Sequence, residues 1–152
     1  MELILWRHAD AENGAPDSAR RLTAKGHAQA RKVAAWLRDR LVEPRVLTSP
    51  AVRARETAAA LTENFVIEPA LDVGAHPARV LTAAGWPHDH GTVVVVGHQP
   101  TLGQVAALVM SGVPSEWSVK KGAIFWFSAR NAHGAEPDHV VLRAALAPEM
   151  LD

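Results

Sequence analysis

Thr92-Val93-Val94-Val95-Val96-Gly97-His98-Gln99-Pro100 is the stretch that decides the fold. Four consecutive valines leave no face for water, so the run predicts a central strand covered on both sides, as in a parallel sheet. Gly97 to Pro100 turn the chain, and Thr101 to Met110 reads as a helix that follows the strand directly.

Working outward, the same strand-then-helix order recurs. Leu3-Ile4-Leu5-Trp6 is a compact apolar run that stops at a polar pair, again a buried strand. After a polar loop from Asp10 to Arg21, Thr23 can cap a helix running to about Leu41. Its positions Ala30, Val33, Ala34, Leu37 and Leu41 keep helical spacing. Arg45 to Thr48 predicts a second strand. Ser49-Pro50 predicts a helix start, with Ser at the cap and Pro in the first turn, and the helix continues to about Glu63. Phe65-Val66-Ile67 predicts a third strand. Glu68 to Gly91 is loop-rich, with one helix from Pro77 to Ala84. Ala123 to Ser128 and Val140 to Leu146 predict an antiparallel hairpin around a polar turn, Asn131 to Asp138. Val140, Leu142 and Ala144 alternate with wetter neighbours, so the last strand reads as an edge. Together these predict a three-layer α/β/α sandwich with a mainly parallel central sheet and an antiparallel hairpin at the C-terminal end. Without a repeat or long linker, residues 1–152 are expected to form a single domain.

Composition excludes several classes. Lys+Arg and Asp+Glu are both 16 in 152 residues, so the basic footprint of a nucleic-acid binder is missing. With no cysteine, thiolate catalysis, thiolate metal sites and disulfides are ruled out. The apolar opening is cut short by Arg7, too early for a membrane span or a secretory core. A cytoplasmic protein without membrane or nucleic-acid partners is the expectation.

In open α/β sheets, ligands bind beyond the carboxyl ends of the strands. Three polar clusters fall there: Arg7-His8, Ser49 to Arg53, and His98. A single histidine after a strand is more often a hydrogen-bonded structural residue. Two arginines and two histidines on one rim, with no carboxylate among them, suit a doubly charged phosphate. Helix N-termini near Pro50 and Pro100 favour the same anion. Arg53 lies in the first turn after Pro50. Arg55 sits about 200° around the helix from it and reads instead as a solvated or salt-bridged arginine.

Four motifs now stand in order: Arg7-His8-Ala9-Asp10-Ala11, Arg20-Arg21-Leu22-Thr23-Ala24-Lys25-Gly26, Ser49-Pro50-Ala51-Val52-Arg53-Ala54-Arg55-Glu56-Thr57, and Val96-Gly97-His98-Gln99-Pro100. In this order and spacing the chain resembles the SixA-type phosphohistidine phosphatases, the smallest branch of the histidine phosphatase superfamily. The resemblance implies a phosphoglycerate-mutase-like fold, His8 as nucleophile, and Arg7, Arg53 and His98 as phosphate ligands. It implies Arg20 as a substrate-binding arginine at the site mouth. The implied chemistry passes through a covalent phosphohistidine on His8 and needs neither metal nor cofactor. The implied substrate is a phosphorylated protein, a phosphotransfer or phosphocarrier domain. A phosphatase for small phosphate esters and a non-catalytic phosphate binder are the alternatives. Ala9 stands where the superfamily's best-known motif has glycine, and is harmless provided φ is negative.

The larger relatives protonate an alkoxide leaving group with a carboxylic acid. Asp72, Glu68 and Asp10 are the candidates here, and loop hydrogen bonding is the other reading of each. Glu68 to Gly91 reads as the one sizeable excursion near the rim, leaving a shallow cleft. His88-Asp89-His90 sits in a loop with no further ligand set. Lys120-Lys121 reads as a solvated loop pair or as a contact for a phosphorylated partner. Phe125-Trp126-Phe127 reads as core packing.

Overall fold

A computed structural model describes residues 1–130 and 139–152. The expected polar turn, Asn131 to Asp138, lies outside the described residues. Six strands form one sheet, β1 (Glu2–Arg7), β2 (Arg45–Thr48), β3 (Val66–Ile67), β4 (Thr92–Gly97), β5 (Ile124–Arg130) and β6 (His139–Leu146), in the order β3-β2-β4-β1-β5-β6. The first four in that order run parallel; β5 is antiparallel to β1 and β6 to β5.

The valine strand takes the place its sequence demands. Val95 is in register with Leu5 on one side and Leu47 on the other, and Val93 to Val96 are fully buried. Ile4, Trp6, Val94 and Val96 face α1 (Ala24–Arg38) and α2 (Val52–Leu61); Leu3, Leu5, Val93 and Val95 face α3 (Pro77–Ala84) and α4 (Thr101–Ser111). Each valine so buried contributes roughly 1.5–3 kcal/mol. The sandwich therefore has three layers, and its mainly parallel sheet puts the ends of β1, β2 and β4 side by side.

Thr23 caps α1, its side chain accepting from the Gly26 amide, as the sequence predicts. The Ser49-Pro50 expectation misses by two residues, for Ala51 is the cap and α2 begins at Val52. The reason is non-local. Ser49 follows β2 directly and stays bonded to β4, its amide donating to Val96 O at 3.0 Å. β3 is shorter than expected, two exposed residues on the sheet edge without Phe65. β6 is an edge strand, but the expected alternation is interrupted. Trp126 pairs with Ala144 and Phe127 with Leu142, so Arg143 is an extra residue in a bulge. Consequently Val140 packs on the α3/α4 side, Ala144 and Leu146 pack on the α1/α2 side, and Leu142 is exposed.

Candidate active site

β1, β2 and β4 end together, and the residues that follow them meet. His8, Arg53 and His98 are 6%, 3% and 3% exposed, and the two imidazole centroids lie 5.3 Å apart. Arg53 stands between them: its Nε donates to His8 Nε2 at 3.3 Å, and one Nη lies 3.4 Å from His98 Nδ1.

These contacts fix both tautomers. The Ala9 carbonyl, 2.8 Å from His8 Nδ1, can only accept, so Nδ1 carries the hydrogen and Nε2 keeps its lone pair. The guanidinium can only donate, so His98 Nδ1 is the acceptor and Nε2–H donates to Ser49 Oγ at 2.7 Å. Both rings are neutral. Burial, joined by the charges of His98, Arg53 and Arg7, pulls His8 down to about 3, although its bond to Ala9 O pulls the other way. Burial and then Arg53 bring His98 down to about 4.

Arg7 donates through one Nη to Val119 O at 2.8 Å, while its buried Nε has no protein partner among the described residues. Burial and the nearby Arg53 charge lower its pKa too. The Arg7 charge reaches both imidazoles, so two guanidinium groups and two neutral rings share one neighbourhood, a set of groups that suits an oxyanion. Ala9 causes no strain: Glu43 is the one described non-glycine residue with positive φ.

Comparison with known proteins bears on this cluster. The family model for the histidine phosphatase superfamily (branch 1) matches residues 3–76. Phosphohistidine phosphatase SixA of Escherichia coli is 34% identical over 126 residues, covering 74% of this chain and 76% of its own. The chain belongs to the histidine phosphatase superfamily. The structure of the protein histidine phosphatase SixA complexed with tungstate matches with a TM-score of 0.78 at 27% identity, covering 100% of both chains. The putative phosphohistidine phosphatase SixA of Agrobacterium tumefaciens matches with a TM-score of 0.77 at 25% identity, covering 97% of each chain. This histidine phosphatase is accordingly a phosphatase, and its sheet and helices are those of the phosphoglycerate-mutase-like fold.

One site residue escaped the sequence reading. Asp17, on a 3-10 turn (Asp17–Ala19), engages both terminal nitrogens of Arg53, its carbonyl accepting at 2.9 Å and its Oδ2 at 3.1 Å. Arg20, expected at the mouth, reaches the histidine phosphatase site through Asp17: its Nε donates to Asp17 Oδ1 at 3.0 Å and an Nη to Glu12 O at 3.1 Å. The loop from Asp10 to Arg21 therefore covers the rim, a correction to the expectation that Glu68 to Gly91 is the one excursion there. Asp17 lacked a signal because it sits in an aperiodic polar loop. Thr57 closes the third motif and has a role that the motif alone does not show. It is fully buried, accepts from the Ala9 amide at 3.1 Å and donates to Arg53 O at 2.8 Å, so it couples the loop after β1 to α2.

The other candidates make contacts of their own outside the cluster. Arg55 is half-buried and lines a surface hollow with Arg21 and Glu56; it has no ion pair among the described residues, and its buried Nε has no partner there. Glu68 caps the 3-10 turn Pro69–Leu71 through the Ala70 amide, and Asp72 accepts from the Val73 amide. Asp10 accepts from Thr23 and Lys121. All three carboxylates serve local structure. Asp89 of the His-Asp-His run pairs with Arg45. Trp126 and Phe127 are core, and Phe125 packs beside Phe127.

Proposed function

We propose that the protein is a phosphohistidine phosphatase that takes the phosphoryl group from a histidine of a partner protein onto His8 and then hydrolyses it. The single observation carrying this reading is the His8 tautomer. Nδ1 is tied to the Ala9 carbonyl, so the ring's lone pair sits on Nε2, where it accepts from Arg53 Nε at 3.3 Å, and a phosphoryl oxygen that takes over that guanidinium would release it for attack. A neutral nucleophile is what in-line attack on phosphorus requires.

In this reading Arg7 and Arg53 hold the equatorial oxygens while the P–N bond to the substrate breaks and the P–Nε2 bond to His8 forms. The departing imidazole takes a proton from solvent. Water then attacks the phosphoryl group on His8, releasing orthophosphate and restoring Nε2. His98 assists because a dianion between the arginines reverses the local field, raising its proton affinity as charge develops. Arg20 would meet the substrate flank once Asp17 releases Arg53.

The leaving group argues for phosphohistidine over an ester. Protonated imidazole has a pKa of about 6.5 and departs without a dedicated acid, whereas an alkoxide needs one. Asp72, Glu68 and Asp10 are committed elsewhere, and the carboxylate that does reach the cluster, Asp17, is held in the anionic form. Burial opposes that, but hydrogen bonds from Arg53 and Arg20 outweigh it. The matched SixA structure is complexed with tungstate, an oxyanion shaped like phosphate, which supports oxyanion binding by this chain.

The test is a rapid quench of the protein with a labelled phosphohistidine domain. An acid-labile, alkali-stable phosphoenzyme mapping to His8 is expected, and His8→Ala should lower phosphate release by about three orders of magnitude or more while leaving the fold intact. Release from phosphate esters in preference to phosphohistidine, or turnover surviving in His8→Ala, would overturn the proposal.

A further inference from the structure

Beside the cluster runs a groove of about 630 Å³ whose lining, Arg7 apart, the phosphate chemistry does not use. One wall is the outer face of α1, with Lys25 and Lys32. The other is the segment entering β5, with Lys120 and Lys121, and the 3-10 turn Pro148–Leu151 closes the end. Arg7, whose chain neighbour is His8, lines the same groove. The groove and the phosphate pocket are therefore adjacent parts of one surface.

We infer that this lysine-lined groove docks an acidic face of the protein that carries the phosphohistidine. The inference rests on the phosphoprotein reading above and names the chemistry of its partner. In a chain whose formal net charge is zero, five cations here face three carboxylates, Asp10, Glu149 and Asp152. The carboxylates are weakly held. Lys120 meets Glu149 at 2.9 Å and Lys121 meets Asp10 at 3.0 Å, while Lys32 pairs with Asp152. These lysine side chains are 43–74% exposed. Exposed pairs of this kind are worth about 0–1 kcal/mol and exchange readily for carboxylates on an incoming surface. Lys25 is exposed and has no ion pair among the described residues.

A small metabolite fits the groove poorly. Such ligands are held in mostly apolar walls, and here Ala28 and Pro148 are the apolar lining residues. A protein surface that presents a phosphohistidine must also cover the rim around it, because an imidazole reaches only a few ångströms from its own backbone. A cationic groove beside the rim then gives orientation and a faster encounter.

The experiment compares Lys25→Glu/Lys120→Glu with the unaltered full chain on two substrates. One is an acidic phosphotransfer domain bearing phosphohistidine; the other is the free phosphoramidate ion. On the domain, kcat/KM is expected to fall at least tenfold at low salt, mainly through KM, and no longer to fall as ionic strength rises. On phosphoramidate it should stay within about twofold. Lys25→Gln/Lys120→Gln, which adds no new repulsion, should fall in the same direction by less. An unchanged kcat/KM on the domain, or an equal fall on both substrates, would overturn the docking surface and leave the phosphohistidine reading standing. If the unaltered protein releases phosphate from neither substrate, the phosphohistidine reading falls and takes this inference with it.

Discussion

At the scale of single residues, the imidazoles of His8 and His98 are kept neutral chiefly by burial, with the arginine charges adding to it. Desolvation disfavours the imidazolium whether or not phosphate is present, so the nucleophile does not wait for high pH. Proton NMR of the two rings should therefore show no titration between pH 8 and pH 5, where an ordinary imidazole changes form. A midpoint near 6.5 for His8 would break the argument for a ready nucleophile. Asp17 sets up a contest at the same scale. Its carboxylate, 58% exposed, occupies one Arg53 Nη that a phosphoryl oxygen would use, while its backbone carbonyl occupies the other. A charge-assisted hydrogen bond is worth ~1.5–3 kcal/mol, and exposure discounts it to about 1 kcal/mol. Asp17→Asn keeps the size and removes the charge, so inhibition by orthophosphate should tighten about fivefold. Weaker phosphate binding in that variant would instead make Asp17 a positioning residue for Arg53.

At the scale of elements, what was legible depended on whether a signal was local. The valine run of β4, the Thr23 cap and the Pro77–Ala84 helix are written in adjacent residues, and each stands where the sequence puts it. Arg7, His8, Arg53 and His98 could be placed together because strand ends converge in this class of sheet. The start of α2 was misplaced because a bond across to β4 holds Ser49 extended beyond β2, and no local pattern records a cross-strand partner. The β6 bulge is likewise set by pairing with β5. Asp17 was missed because its role exists only once α2 lies beneath the loop. Gly26 is a contact between elements whose meaning is also visible only in three dimensions. A Cβ there would stand 1.9 Å from the backbone oxygen of Asp10, which has little freedom to retreat because it accepts from the Thr23 amide. Gly26→Ala must push α1 off the loop that follows His8. A loss of roughly 1–3 kcal/mol is expected, the range for overpacking. Calorimetry should register it as a drop of roughly 3–10 °C in Tm, and an unchanged Tm would show that α1 yields without strain.

At the scale of the whole molecule, the buried histidines tie folding stability to pH. Unfolded imidazole takes up its proton near pH 6.5, whereas in the native site His8 and His98 refuse it until about 3 and about 4. The unfolded chain therefore binds more protons as the pH falls, and acid favours unfolding. The stability tied to the neutral rings is fully present above pH 6.5 and is lost progressively as the pH falls toward 4 and then 3. At pH 5 the loss is about 2 kcal/mol per histidine, since each unit of displacement corresponds to about 1.4 kcal/mol. The carboxylates with lowered pKa, Asp10, Asp17 and Glu149, act in a lower window, beginning near pH 4, so the span from 6.5 to 4.5 isolates the imidazoles. Urea unfolding between pH 7.5 and pH 4.5 should show a midpoint that falls with acid, and His8→Asn and His98→Asn should each flatten that fall by about half. A midpoint that holds steady across this span, or variants that slope as steeply as the parent chain, would mean that the folded site accepts protons as easily as the unfolded chain. The neutral nucleophile would then lose its physical basis.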